Sequence, residues 1–119
     1  TLAMANDWCE RLGGGEELGI VIDVYNLWWD PDLEAEIARA GPRIAAFQVC
    51  DWLRETSDLR LDRGMPGDGV IDIRAIRKLV EDAGYAGHRE VEIFSARDWW
   101  QRDPDEVVRT VKERYQTAV

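Results

Sequence analysis

The sequence predicts an α/β fold built on parallel strands, and three observations lead there. Short apolar runs at residues 19–24, 43–50 and 89–94 alternate with helical patterns. The resulting order, αβαβαβα, is the one that joins parallel strands by right-handed crossovers. Two segments also share one layout. The first runs Ile20-Val21-Ile22-Asp23 to Trp28-Trp29-Asp30-Pro31-Asp32; the second runs Glu90-Val91-Glu92-Ile93-Phe94 to Trp99-Trp100-Gln101-Arg102-Asp103-Pro104-Asp105. In each, a strand is followed by a Trp pair and by Asp-Pro-Asp, where Asp suits a helix N-cap and Pro the first helical position. Each segment carries an acid, Asp23 or Glu92, near the carboxyl end of its strand, the end of a parallel sheet where chemistry collects.

The elements follow in order. Ala5, Trp8, Cys9 and Leu12 share a helical face over residues 2–12, and Gly13-Gly14-Gly15 ends that helix. Residues 19–24 form the first strand. Residues 31–40 form a helix with Leu33 and Ile37 inward, closed by Gly41-Pro42. Residues 43–50 form the second strand, and 51–71 a long loop rich in charge and glycine. Asp72 caps a helix whose Ile73, Ile76, Val80 and Ala83 share a face; Gly84 to Gly87 turn the chain into the third strand, 89–94. A last helix starts at Pro104 and is expected to bury Val107, Val111 and Tyr115. The strands are expected side by side in the order first, second, third, and apolar enough to need cover on both faces. An open sheet of this size has two bare edges. The chain, one domain over 1–119, is therefore expected to be part of a larger sheet, completed by further chain or by a partner.

Composition narrows the function. A net charge of −9 argues against binding nucleic-acid backbones or an anionic membrane surface. No apolar run approaches the ~20 residues of a membrane span, and no signal-peptide pattern opens the chain. Cys9 and Cys50 read as buried, reduced thiols of a cytoplasmic protein. No cysteine pair has zinc spacing, and one histidine, His88, builds no histidine-rich zinc site. His88 precedes the third strand, at the wrong end of the sheet, and reads as a surface residue.

Five stretches then point to a family: Val21-Ile22-Asp23-Val24-Tyr25-Asn26, Phe47-Gln48-Val49-Cys50-Asp51, Arg54, Gly67-Asp68-Gly69-Val70-Ile71-Asp72, and Val91-Glu92-Ile93. Their order and spacing resemble the last three βα units of the sugar phosphate isomerase/epimerase family, which has a xylose-isomerase-like TIM barrel. Residues 1–18 resemble the helix before the sixth strand. The resemblance implies one divalent metal held by four side chains from strands five to eight. The first, a Glu, would lie upstream of Thr1. The second, from an Asp-x-x-His motif, maps to Asp23; the third, His or Gln, maps to Gln48; the fourth maps to Glu92. The motif's substrate-binding histidine is Asn26 here. Arg54 matches a substrate-binding arginine that follows the third ligand.

Side-chain chemistry is compatible with that assignment. Asp, Gln and Glu oxygens suit hard divalent cations such as Mn²⁺ and Mg²⁺. A metal holding two vicinal sugar oxygens acidifies the carbon-bound proton between them and stabilises the enediolate, with Glu92 as an acid–base group. Each residue also has a plainer reading. Asp23 and Glu92 are then solvated acids at strand ends, although Glu is disfavoured in strands. Gln48 is a buried amide bonded to backbone, Asn26 a turn residue, and Arg54 a surface cation. Gly64-Met65-Pro66-Gly67-Asp68-Gly69 either brings backbone close to a ligand or is a surface turn. The Trp pairs pack over the ends of the sheet, one ring of each able to wall a pocket.

Three functions compete. The first is a metal-dependent isomerase or epimerase of a small sugar or polyol, with a dehydratase of a cyclic hydroxy-ketone as its close neighbour. The second is a non-catalytic barrel remnant or subunit that assembles with another chain into an oligomer. A nuclease ranks last, because the zinc clusters of such enzymes need several histidines. The reading requires Asp23, Gln48 and Glu92 to converge at one end of the sheet.

Overall fold

The computed structural model describes residues 1–13 and 17–119. In chain order the elements are α1 (Leu2–Arg11), β1 (Ile20–Asp23), α2 (Val24–Leu27), α3 (Leu33–Ala40), β2 (Ile44–Val49), β3 (Asp51–Trp52), β4 (Arg63–Gly64), α4 (Ile73–Asp82), β5 (Arg89–Val91) and α5 (Pro104–Thr117). Short 3₁₀ turns cover Gly41–Arg43 and Trp99–Gln101. The main sheet is parallel with the order β1-β2-β5, as the sequence predicts; β3 and β4 make a separate antiparallel pair. Asp23 lies opposite Gln48, and Gln48 opposite Glu90.

Strand alternation separates two faces. Ile20, Ile22, Phe47 and Val49 are buried and form one core with Leu33 and Ile37 of α3 and Ile73, Ile76 and Val80 of α4. The other face carries Val21, Asp23, Ala46, Gln48 and Glu90; Val21 is 49% exposed and Glu90 is also exposed. This second face is polar towards the carboxyl ends of the strands and has no covering layer among the described residues.

Three further expectations change. In α1 the inward residues are Leu2, Asn6 and Cys9, while Trp8 and Leu12 are 58% and 65% exposed. Asn6 is tolerated inside because its amide donates to the Glu36 carbonyl at 3.0 Å and to the Glu36 carboxylate at 2.8 Å. Gly13 follows the helix with φ +92°, whereas Gly14 and Gly15 lie outside the described residues. The repeated Asp-Pro-Asp behaves differently in its two copies. Asp103 caps α5 with Pro104 in the first turn. Asp30 instead accepts from the Leu2 and Asp32 amides, both at 3.1 Å, tying the start of α1 to the loop before α3, which begins only at Leu33. Finally, β5 is three residues long rather than six, and Val107, Val111 and Tyr115 of α5 are half-buried. No described residue of that helix is fully buried, and its Tyr115 hydroxyl accepts from Arg89 of the edge strand β5 at 3.2 Å.

The segment 51–71, read from sequence as a charged loop, is anchored by one carboxylate. Asp51 is 1% exposed. Its oxygens accept from the backbone amides of Trp52 at 2.9 Å, Gly67 at 2.9 Å and Ile71 at 3.0 Å. Gly67 has φ +91°, a conformation that suits glycine. A Cβ on Gly69 would strike the Trp52 carbonyl and the Asp51 carboxylate, so no larger residue fits. Met65 and Pro66 are buried, which excludes a plain surface turn. The far side of the segment is pinned to the chain after β5: Arg63 N donates to Phe94 O and Ala96 N to Leu61 O, both at 2.9 Å.

Asp51→Ala strips three amides of a charged, buried acceptor. We expect it to destabilise the protein by about 3 kcal/mol in urea unfolding; a loss below about 1 kcal/mol would contradict the anchoring role.

Candidate metal and substrate site

The carboxyl ends of the three parallel strands assemble a small cluster. Asp23 ends β1 and also N-caps α2: its Oδ1 accepts from Tyr25 N at 2.9 Å. The cap fixes the carboxylate, leaving Oδ2 to face across the sheet mouth. Asn26, one turn along α2, donates its Nδ2 to that Oδ2 at 2.6 Å. Glu92 follows β5, where its backbone amide donates to Val49 O at 3.1 Å and extends the pairing by one residue.

Arg63, at the start of β4, joins the two acids. Its Nη1 lies 3.2 Å from Asp23 Oδ2 and 3.0 Å from Glu92 Oε2, with the Cys50 sulfur at 3.7 Å. Its side chain is 10% exposed. The guanidinium carbon sits 4.4 Å from the centre of the Tyr25 ring and 4.9 Å from that of Phe94. Tyr25 in turn stacks on Trp52 at 4.7 Å. Burial works against the charge on Arg63, yet Asp23, Cys50 and Glu92 together hold its pKa above the ordinary value. Burial pushes the Cys50 thiol up to about 12, against the pull of Arg63.

Gln48 neighbours Asp23 on the same sheet face. Its Nε2 donates to Glu90 Oε2 at 3.4 Å, an orientation that leaves the carbonyl oxygen free of hydrogen bonds among the described residues. Arg54 is exposed and makes no ion pair among the described residues. Asn26 borders two cavities: one of about 330 Å³ with Asp23 and Gln48, another of about 200 Å³ with Arg60, Arg63 and Phe94. In each Trp pair one ring points in, Trp28 against Trp52 at 5.8 Å and Trp99 at 8% exposure. His88 is exposed.

Sequence reasoning missed Arg63 and Asp51. Arg63 is one arginine in a charge-rich loop, and only its position just before the glycine-rich run could have marked it. Asp51 lay inside a matched stretch but carried no chemical signature of its own.

The family model for the xylose isomerase-like TIM barrel matches residues 1–114. The chain belongs to this family. Its fold is correspondingly part of such a barrel. Protein SMc04130 from Sinorhizobium meliloti 1021 superposes with a TM-score of 0.94 at 55% identity, over 98% of this chain and 42% of that one. The IolI protein, in a crystal structure with a bound zinc atom, superposes with a TM-score of 0.78 at 21% identity, over 92% of this chain and 40% of that one. The second likeness speaks to the fold alone. The chain therefore spans about two-fifths of the length of these solved structures. Among curated proteins none matches it. No helix among the described residues is long and apolar enough to cross a membrane.

A thiol with a pKa near 12 holds almost no thiolate at pH 8. Native Cys50 is expected to resist iodoacetamide at pH 8 and to react once the protein is unfolded, as read by peptide mass spectrometry. Rapid native labelling would contradict the buried placement.

Proposed function

We propose that this chain is the metal-binding, carboxyl-terminal part of a divalent-metal-dependent isomerase or epimerase of a small sugar or polyol. One observation carries the reading: Asp23 and Glu92, from strands separated by β2, place carboxylate oxygens against one and the same cationic nitrogen. Two acids on one sheet face repel unless a cation lies between them, so this position is built to attract positive charge.

The donor set fits a divalent ion. Asp23 and Glu92 supply charged oxygens, and Gln48 has a free carbonyl oxygen on the same face. Oxygen-only ligands favour Mn²⁺ or Mg²⁺, while zinc also accepts carboxylates. When bound, such an ion would polarise vicinal substrate oxygens and stabilise the charge that develops as a proton leaves carbon. The chain's own groups do the rest. Glu92 has a half-buried side chain at the sheet mouth and takes or returns that proton. Asn26 steadies Asp23 and borders the cavity where a substrate hydroxyl would lie. Arg54 stands in the segment anchored by Asp51 and is assigned to substrate binding at the rim.

A subunit role also has support. Both sheet edges, β1 and β5, lack strand partners among the described residues, and relatives of known structure are more than twice as long. Catalysis then depends on an upstream segment or a partner chain that completes the barrel, within a cytoplasmic oligomer.

The test is turnover. Residues 1–119 alone are expected to bind Mn²⁺ weakly and to isomerise no ketose. Activity should appear when the barrel is completed, and Glu92→Gln should then lower kcat at least a thousandfold, about 4 kcal/mol in the barrier. Robust turnover by the 119-residue chain, or an active Glu92→Gln enzyme, would overturn this assignment.

A further inference from the structure

Arg63 occupies the place a bound cation would take, and its seat is built around it. The Tyr25 and Phe94 rings flank the guanidinium, and one nitrogen serves both carboxylates. The arginine is delivered by β4, whose backbone is fastened to Phe94 O on one side and paired with β3 on the other.

The seat is nevertheless imperfect. Arg63 Nε is buried without a partner among the described residues, an unsatisfied donor. Asp23 Oδ2 is also saturated. It accepts from Asn26 Nδ2 at 2.6 Å and from Arg63 Nη1 at 3.2 Å, two donors for its two lone pairs. Its partner Oδ1 is held by the Tyr25 amide. An ion that binds Oδ2 must displace a donor, and charge decides which one. The Asn26 amide is neutral, whereas a guanidinium and a divalent ion on the same oxygen repel strongly in a buried setting. Space for the departing side chain exists, because Arg63 lines the 200 Å³ cavity together with Asn26, Arg60 and Phe94.

We propose that Arg63 is an internal counter-cation. It holds Asp23 and Glu92 together while the site is free of metal, and it swings into the neighbouring cavity when a divalent ion binds. The inference rests on reading Asp23 and Glu92 as metal ligands. It adds an order of events: metal entry moves the guanidinium out of the acid pair and into the 200 Å³ cavity beside Asn26, so the two acids exchange one cation for another rather than standing unpaired.

The experiment compares wild type, Arg63→Met, Arg63→Lys and Asp23→Asn. Mn²⁺ affinity is read from the free-ion electron paramagnetic resonance signal, and melting temperature is read in EDTA and in saturating Mn²⁺. Arg63→Met is expected to melt below wild type in EDTA, to bind Mn²⁺ at least tenfold more tightly, and to gain more from Mn²⁺ than wild type does. Arg63→Lys keeps the charge but loses the planar guanidinium that packs against the Tyr25 and Phe94 rings, and should bind Mn²⁺ with intermediate affinity. It serves as the readout if Arg63→Met does not fold. Asp23→Asn should weaken binding at least tenfold. Equal or weaker Mn²⁺ binding by the folded Arg63 variants, with Asp23→Asn still impaired, overturns the counter-cation and leaves the metal site standing. Binding indifferent to Asp23→Asn overturns the metal site and the counter-cation together.

Discussion

Two carboxylates facing one guanidinium organise the mouth of this sheet. Asp23 and Glu92 arrive on different strands, and the parallel register of β1, β2 and β5 puts them on the same face. Their closeness is costly without a cation, since neither acid lies in open water; the Asp23 side chain is only 11% exposed. Arg63 offsets that cost through charge-assisted contacts and two flanking aromatic rings. The arrangement favours a positive charge at one point in space, and the point lies where a parallel barrel performs its chemistry.

What brings Arg63 there is a second carboxylate device. Asp51 stands two residues past Val49, the end of β2, and gathers three backbone amides from a segment of some twenty residues. Gly67 and Gly69 make the approach possible, one through its positive φ and the other through the absence of a Cβ. Arg114 of α5 adds an ion pair to Asp68 at 3.1 Å, so the last helix also holds the segment. A stretch that carries charge and glycine is thus tied down at several points along its length. The anchoring fixes the backbone from which the Arg63 side chain reaches the two acids.

Much of the fold was legible because it rests on periodicity. The alternating apolar runs gave the strands, their order and their parallel sense, and Asp103-Pro104 gave the start of α5. Other features depend on partners distant in sequence. Asp30 serves Leu2 instead of its own helix, a choice set by tertiary contact. Trp8 and Leu12 point outward while Asn6 is inside with a partner in Glu36, a pairing that no local pattern shows. In the site, the family motifs located Asp23, Gln48 and Glu92, and the structure gathers the two acids at one mouth with Gln48 alongside. Arg63 escaped notice because its role comes from β3–β4 pairing across a long insertion, and an arginine among charged neighbours looks like surface.

The divalent ion proposed for the Asp23–Glu92 position can be sought directly. Anomalous diffraction from crystals soaked in Mn²⁺ tests it most directly. A dominant peak is expected at about 2.0–2.6 Å from oxygens of Asp23 and Glu92, with the Gln48 carbonyl turned towards it and Arg63 rotated away. A site left bridged by Arg63, with manganese bound only elsewhere or not at all, would contradict it.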